Sequence, residues 1–154
     1  MSQQTVPLDY ANSLMYELEK AFWDERGKGA RFRTTKVGYQ YFEEKVRPLL
    51  MSTEITDILE KIQCVLKGEG LVAEVSFNQE ERLLKVGVQG CIHRPVEEKM
   101  LAKEVEPFTC VPANLIVLAL EEKLDIPVEL AEIKVEAGRC NLLLVLFEKR
   151  PVLG

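Results

Sequence analysis

Few residues in this chain are equipped to do chemistry, and the densest group lies in "QGCIHRPVEEK", residues 89–99. That stretch holds the only histidine, His93, two places after Cys91. With Cys110 and Cys140 further on, the thiols and imidazole are enough for a tetrahedral zinc site. The spacing is not that of a finger or ribbon, which present close pairs such as C-x-x-C. Cys91 and His93 would point the same way on a regular strand, so the pair could chelate. If metal binds, the expected set is zinc or iron at Cys91, His93, Cys110 and Cys140. Cys64 is left out, because its apolar helix is expected to bury it elsewhere. The competing reading is plain burial, since free cysteine is among the most buried residue types and Cys140 sits in an apolar run. Both readings stay open at this point.

Catalytic signatures are missing. There is no P-loop, dinucleotide fingerprint, G-x-S-x-G or H-E-x-x-H. The acidic pairs Glu43-Glu44, Glu80-Glu81, Glu97-Glu98 and Glu121-Glu122 read as solvated faces. No enzymatic activity is expected. Aromatic residues are the other lead. Tyr39, Phe42, Phe77, Phe108 and Phe147 could line a ligand cavity between helices and sheet, or serve as core. In "RGKGARFRTTK", residues 26–36, five of eleven residues are basic; the stretch reads as a solvated linker or an anion contact.

The elements that would position these residues follow from hydrophobic periodicity. In "DYANSLMYELEKAFWDER", Ala11, Leu14, Met15, Leu18 and Phe22 recur at three-four spacing, opposite Glu17, Glu19, Lys20 and Asp24. "VGYQYFEEKVRPLL" reads as a second helix. "STEITDILEKIQCVLKGEG" is a third, with the stripe Ile55, Ile58, Leu59, Ile62, Val65 and Leu66 and a cap at Ser52 or Thr53. The period then changes to two. Strands are expected at about 71–78 and 82–90, with the polar turn "NQEE" between them. "RPVEEKMLAKEVEPF" reads as a short surface helix. "VPANLIVLALEEKL" is a helix that is apolar all round, which belongs in the middle of a domain. A second hairpin at about 128–136 and 140–148 turns at Ala137-Gly138-Arg139. Its last strand is apolar on both faces, so both faces should be covered. The order gives an α+β fold: N-terminal helices packed on a four-stranded, mostly antiparallel sheet, with an inserted helix.

Length and composition agree with a single domain over residues 1–154. Hydrophobic residues make up 47% and the net charge is −5, which weakens any case for nucleic acid. No signal peptide or membrane span is expected, since "LIVLAL" and "LLLVLF" are far too short. A cytoplasmic location and reduced thiols follow as expectations. A homodimer is also expected, because the last strand carries two apolar faces and the first helix is rich in large apolar residues around Trp23.

The run "VQGCIHRPVEEK … EPFTCVPANLIVLALEEKLDIPVELAEIKVEAGRCNLLLVLFEK" resembles the 4-vinyl reductase type of domain, over roughly residues 70–149. That family groups with haem-NO-binding-like sensors and TRAPP vesicle-tethering subunits. The family's cysteine pattern would fall on Cys91, Cys110 and Cys140. Its further cysteine, in the strand before the final turn, meets "IKVEAGRC" here, with Val135 and Glu136. The resemblance implies a non-catalytic sensor or carrier domain for a small hydrophobic ligand that tends to dimerise. The alternative it implies is a structural interaction subunit like the TRAPP components.

Overall fold

The computed structural model describes residues 5–30 and 34–148. Helix α1 spans Leu8–Arg26 and ends where Gly27 takes a positive φ of 58°. A short helical segment, α2, follows in three parts: Tyr39–Tyr41, a π-type turn at Phe42–Val46 and a 3-10 turn at Arg47–Leu49. Helix α3 covers Ile55–Gly68 and buries Ile58, Leu59, Ile62, Val65 and Leu66, the stripe its periodicity predicts. Ser52 helps fix its entry by accepting the Glu54 backbone N–H at 2.9 Å. Cys64 lies on the exposed side of α3, so its helix does not bury it as expected; the buried stripe runs past it through Ile62 and Val65.

Strands β1 (Glu74–Glu80) and β2 (Leu83–Gln89) form the first hairpin, and β3 (Val128–Glu136) and β4 (Arg139–Leu146) the second. The turn between β3 and β4 uses Ala137 and Gly138, both at positive φ, the twist that two-residue hairpins favour. All pairings are antiparallel and the order is β1-β2-β4-β3. The hairpins therefore join through β2 and β4, giving the α+β architecture the sequence predicts.

One sheet face carries the core. Leu84, Val86 and Val88 on β2 pair with Leu144, Leu142 and Cys140 on β4, and all six are buried. Helix α5, Val111–Leu124, lies in this core with Pro112 in its first turn and nearly every residue to Leu120 buried. Its buried Asn114 donates from Nδ2 to the carbonyls of Thr34 and Val37 at 3.1 and 3.0 Å, tying down the chain before α2. The other face of β4 is less enclosed than its composition suggests. Asn141, Leu143 and Val145 are half-buried, their neighbours across the sheet being Lys85, Gly87 and Glu129. Among the described residues no helix is long and apolar enough to cross a membrane.

Helix α1 turns an unexpected side inward. Its buried residue is Asn12 at 2% exposure, while Leu14 stands 44% and Leu18 72% exposed. The apolar stripe is split: Ala11, Leu14 and Leu18 are exposed, while Met15 and Phe22 are half-buried. Helix α1 packs on α4, Arg94–Ala102, and a small second core gathers there from Ala30, Met100, Val105 and Phe108, with Tyr16, Phe22 and Trp23 against it.

The two faces of β4 should respond differently to truncation. Leu144 is fully buried, so Leu144→Ala should cost ~2–5 kcal/mol in urea unfolding, while Leu143→Ala should cost less than about half of that. Equal costs would mean that the outer face is as tightly packed as the inner.

Candidate functional site

The loop after β2 decides where the chemistry-bearing residues point. Gly90 adopts φ 66°, and a Cβ there would sit 2.6 Å from the Ala73 Cβ, so glycine permits the turn that strand continuation would forbid. Cys91 and His93 thus lie in a turn that leads into α4, not on β2. The alternation that would aim both side chains one way does not apply. The His93 backbone N–H donates to the Cys91 sulfur at 3.4 Å, and the His93 ring turns to α1, where Nδ1 lies 3.1 Å from Asn12 Oδ1. Asn12 Nδ2 donates to the Ile92 carbonyl at 2.7 Å. Its Oδ1 is then the acceptor, so the proton of the neutral imidazole sits on Nδ1. Burial lowers the His93 pKa, which holds the ring neutral.

Cys110 and Cys140 are buried in the main core and Cys91 is half-buried against it, and all three feel the charge of a residue the acidic-pair reading had placed on a solvated face. Glu97 is only 5% exposed, and the Cys140 thiol donates to its Oε2 at 2.9 Å. No described ion pair involves Glu97. Burial raises its pKa, the Cys140 bond opposing and Glu98 adding to the shift. All three thiols are pushed upward, chiefly by burial, with the charge of Glu97 adding in each case. Backbone N–H groups oppose this at two of them: those of His93 and Arg94 at Cys91, and that of Ala113 at Cys110. Arg94 favours the thiolates of Cys91 and Cys140; its guanidinium is held by the Gly138 carbonyl at 2.6 Å and Glu98 at 3.1 Å.

Of the four expected metal ligands, the three thiols therefore share the influence of Glu97, while the His93 ring is engaged by Asn12. In this arrangement no three His, Cys, Asp or Glu side chains among the described residues are set to hold a metal ion. Among the described residues the buried Glu97 carboxylate has no ion pair, and its one side-chain partner is the Cys140 thiol.

The five aromatic residues do not meet in a common cavity. Phe42 is buried and Tyr39 lies 6.4 Å from it, both beneath the Arg47 guanidinium at 5.2 and 5.6 Å. Phe77 is half-buried at the edge of the main core, and Phe147 is exposed just past β4. Phe108 stacks on Trp23, centroids 5.6 Å apart. These two rings line a groove of about 690 Å³ that runs between the ends of α1 and α4 and strand β3. Leu101, Ile133 and Val135 complete its apolar wall, with charges of both signs at the rim, Lys28 and Glu132 among them.

Glu97, Asn12 and Glu19 escaped sequence reasoning because polar residues on helices default to solvent. One signal existed for Glu97: it follows Val96 and precedes Met100 by three, so it borders the apolar face of α4. No family model matches this chain, and no curated protein matches it.

Glu19 on α1 offers a test of the α1–α4 contact. Burial, then the charge of Glu97, raise its pKa from 4.5 to about 7. A carboxyl raised in the folded state contributes stability that is full below about 4.5 and lost as pH climbs to about 7. In metal-free protein, Glu19→Gln should therefore be the more stable form at pH 8 by ~1–3 kcal/mol, with the gap closing towards pH 4.5. Denaturant unfolding across that range reads the difference; a pH-independent gap would place Glu19 in solvent.

Proposed function

We propose that this protein is a non-catalytic binding domain, a sensor or carrier for a small hydrophobic molecule. The carrying observation is the groove beside the Trp23–Phe108 stack. Its volume of about 690 Å³ falls within the ~300–1,000 Å³ typical of small-molecule sites. Its lining mixes aromatic and aliphatic side chains with charged ones, Lys28, Glu104, Glu106, Glu132 and Lys134, which could hold an apolar body and orient a polar end. The sequence resemblance to sensor and carrier domains points the same way.

Trp23 is the only tryptophan, so its fluorescence reports the groove directly. Native mass spectrometry of freshly purified protein should show a co-purifying small molecule. Titration with anilinonaphthalene sulfonate should quench Trp23 saturably. Leu101 is 41% exposed at the groove, so Leu101→Glu should weaken binding about tenfold, ~1.4 kcal/mol, with little effect on folding. Unsaturable binding, or binding indifferent to Leu101→Glu, would remove the groove as the site.

A second reading, a protein-interaction subunit, is favoured by one observation. Tyr10, Leu14 and Leu18, four residues apart along α1, are 59%, 44% and 72% exposed. A homodimer closed through this stripe should become monomeric by light scattering when Leu14 and Leu18 are both changed to Glu. A parent protein already monomeric at tens of micromolar would end that reading.

A further inference from the structure

We propose that the edge of β3 between Glu132 and Glu136 pairs antiparallel with the same strand of a second copy, so that two four-stranded sheets become one. Strand β3 is an outer strand of the sheet. Its turn into β4 has two residues, Ala137 and Gly138, so it closes on Glu136 and Arg139 as a hydrogen-bonded pair. Counting back by twos, Glu136, Lys134 and Glu132 turn their backbone N–H and C=O groups to β4, and Val135 and Ile133 turn theirs outward. No described backbone bond outside the sheet ladder reaches Ile133 or Val135. The irregularity between Leu130 and Glu132 bounds this stretch on one side and the turn bounds it on the other. It contains no proline, and such an edge recruits another strand unless something blocks it.

Charge decides which strand fits. Glu132, Lys134 and Glu136 stand on the outer face, opposite Leu143, Asn141 and Arg139 of β4, and all three are exposed. When two identical strands pair antiparallel, the residue on the two-fold axis fixes every opposed pair. With the axis at Ile133, Lys134 of each copy meets Glu132 of the other; with the axis at Val135, it meets Glu136. The backbone also allows an axis at Lys134, but that sets lysine against lysine and Glu132 against Glu136. Opposed unlike charges attract across a strand pair and like charges repel, so the first two registers are favoured. Lys134 already bonds Glu136 of its own chain at 3.1 Å, and the second copy brings it another carboxylate. On the inner face the residue on the axis, Ile133 or Val135, meets its own symmetry mate, so an apolar contact lies behind the charged one. The opposite edge of the sheet lacks this property. Strand β1 carries Glu74 and Glu80 and no basic residue, and pairing about its centre, Phe77, sets those two glutamates against each other. The β3 junction is separate from the exposed stripe of α1 and does not depend on what the groove binds.

Charge reversal followed by light scattering tests this. The parent protein should be a dimer at tens of micromolar. Lys134→Glu makes the edge all acidic, and Glu132→Lys with Glu136→Lys makes it all basic. Each variant alone should be monomeric, its dimer weakened at least tenfold. Both should keep the circular dichroism of a folded chain, because the three side chains are exposed. Mixed in equal amounts, the two variants should form a heterodimer that about 0.5 M salt weakens. Ile133→Cys or Val135→Cys, made in Cys64→Ser protein and oxidised with copper phenanthroline, should cross-link two chains, and the one that does so names the axis. That cross-link reads the contact directly if a charge variant fails to fold. A monomeric parent overturns the proposal. So do charge variants that stay monomeric when mixed, or a dimer that survives Lys134→Glu but is lost when Leu14 and Leu18 are changed to Glu.

Discussion

The pairing of β2 with β4 is the constraint on which the rest of the molecule depends. Each hairpin alone is a two-stranded ribbon, which is marginal in water. Joined through β2 and β4 they present one continuous apolar face, with Leu84, Val86 and Val88 opposite Leu144, Leu142 and Cys140. That face is wide enough to receive α3 and α5 together. The connection between the hairpins has to leave β2, cross the sheet and return at the far edge as β3. Helices α4 and α5 are that crossing, so their starting points are fixed near the end of β2 and the inner face of the sheet. The thiol cluster follows from this topology, because Cys91 and Cys110 sit at those starting points.

A second consequence concerns α1. The main core is complete without it: α3, α5 and the sheet supply the large cluster, and α1 adds none of its buried members. Helix α1 is attached through α4, by the Asn12 bonds to Ile92 and His93, a Lys99–Tyr16 cation–π contact at 5.9 Å, and the small core around Met100 and Phe108. Polar anchors of this kind fix orientation more than they add net stability, since each replaces a bond to water. They explain why α1 presents Asn12 and Glu19 inward. The carbonyl of Ile92 and the ring of His93 need partners once the turn after Gly90 is buried, and only a polar helix face can supply them.

Sequence periodicity made the sheet and α3 legible because both bury apolar side chains at the spacing of their own geometry. The strand limits fell within three residues of those observed, and every buried residue of α3 had been named. It failed where burial is polar. The apolar spacing of α1 says nothing of Asn12, its one buried residue, and leaves Leu14 and Leu18 exposed while Phe22 packs in the second core. The assumption that the more apolar face goes in put Glu97 in solvent, and the strand alternation that would have aimed Cys91 and His93 one way stops short of both, at Gln89. The aromatic residues showed a further limit. Composition counts rings without saying which ones meet: Phe108 lines one groove beside Trp23, which is far away in sequence, and Phe77 borders a separate one on the sheet.

The groove and the thiol cluster are close relatives in space. Val135, in the wall of the groove, is the β3 partner of Cys140, so one step of sheet register separates the two features. Helix α4 touches both, with Glu97 at its start in the cluster and Leu101 at its end in the groove wall. Nine residues of helix, about 14 Å at 1.5 Å per residue, are too short to bend appreciably between those ends. Glu97 and Leu101 therefore sit at the two ends of one rigid element, which borders the thiols at one end and the groove at the other.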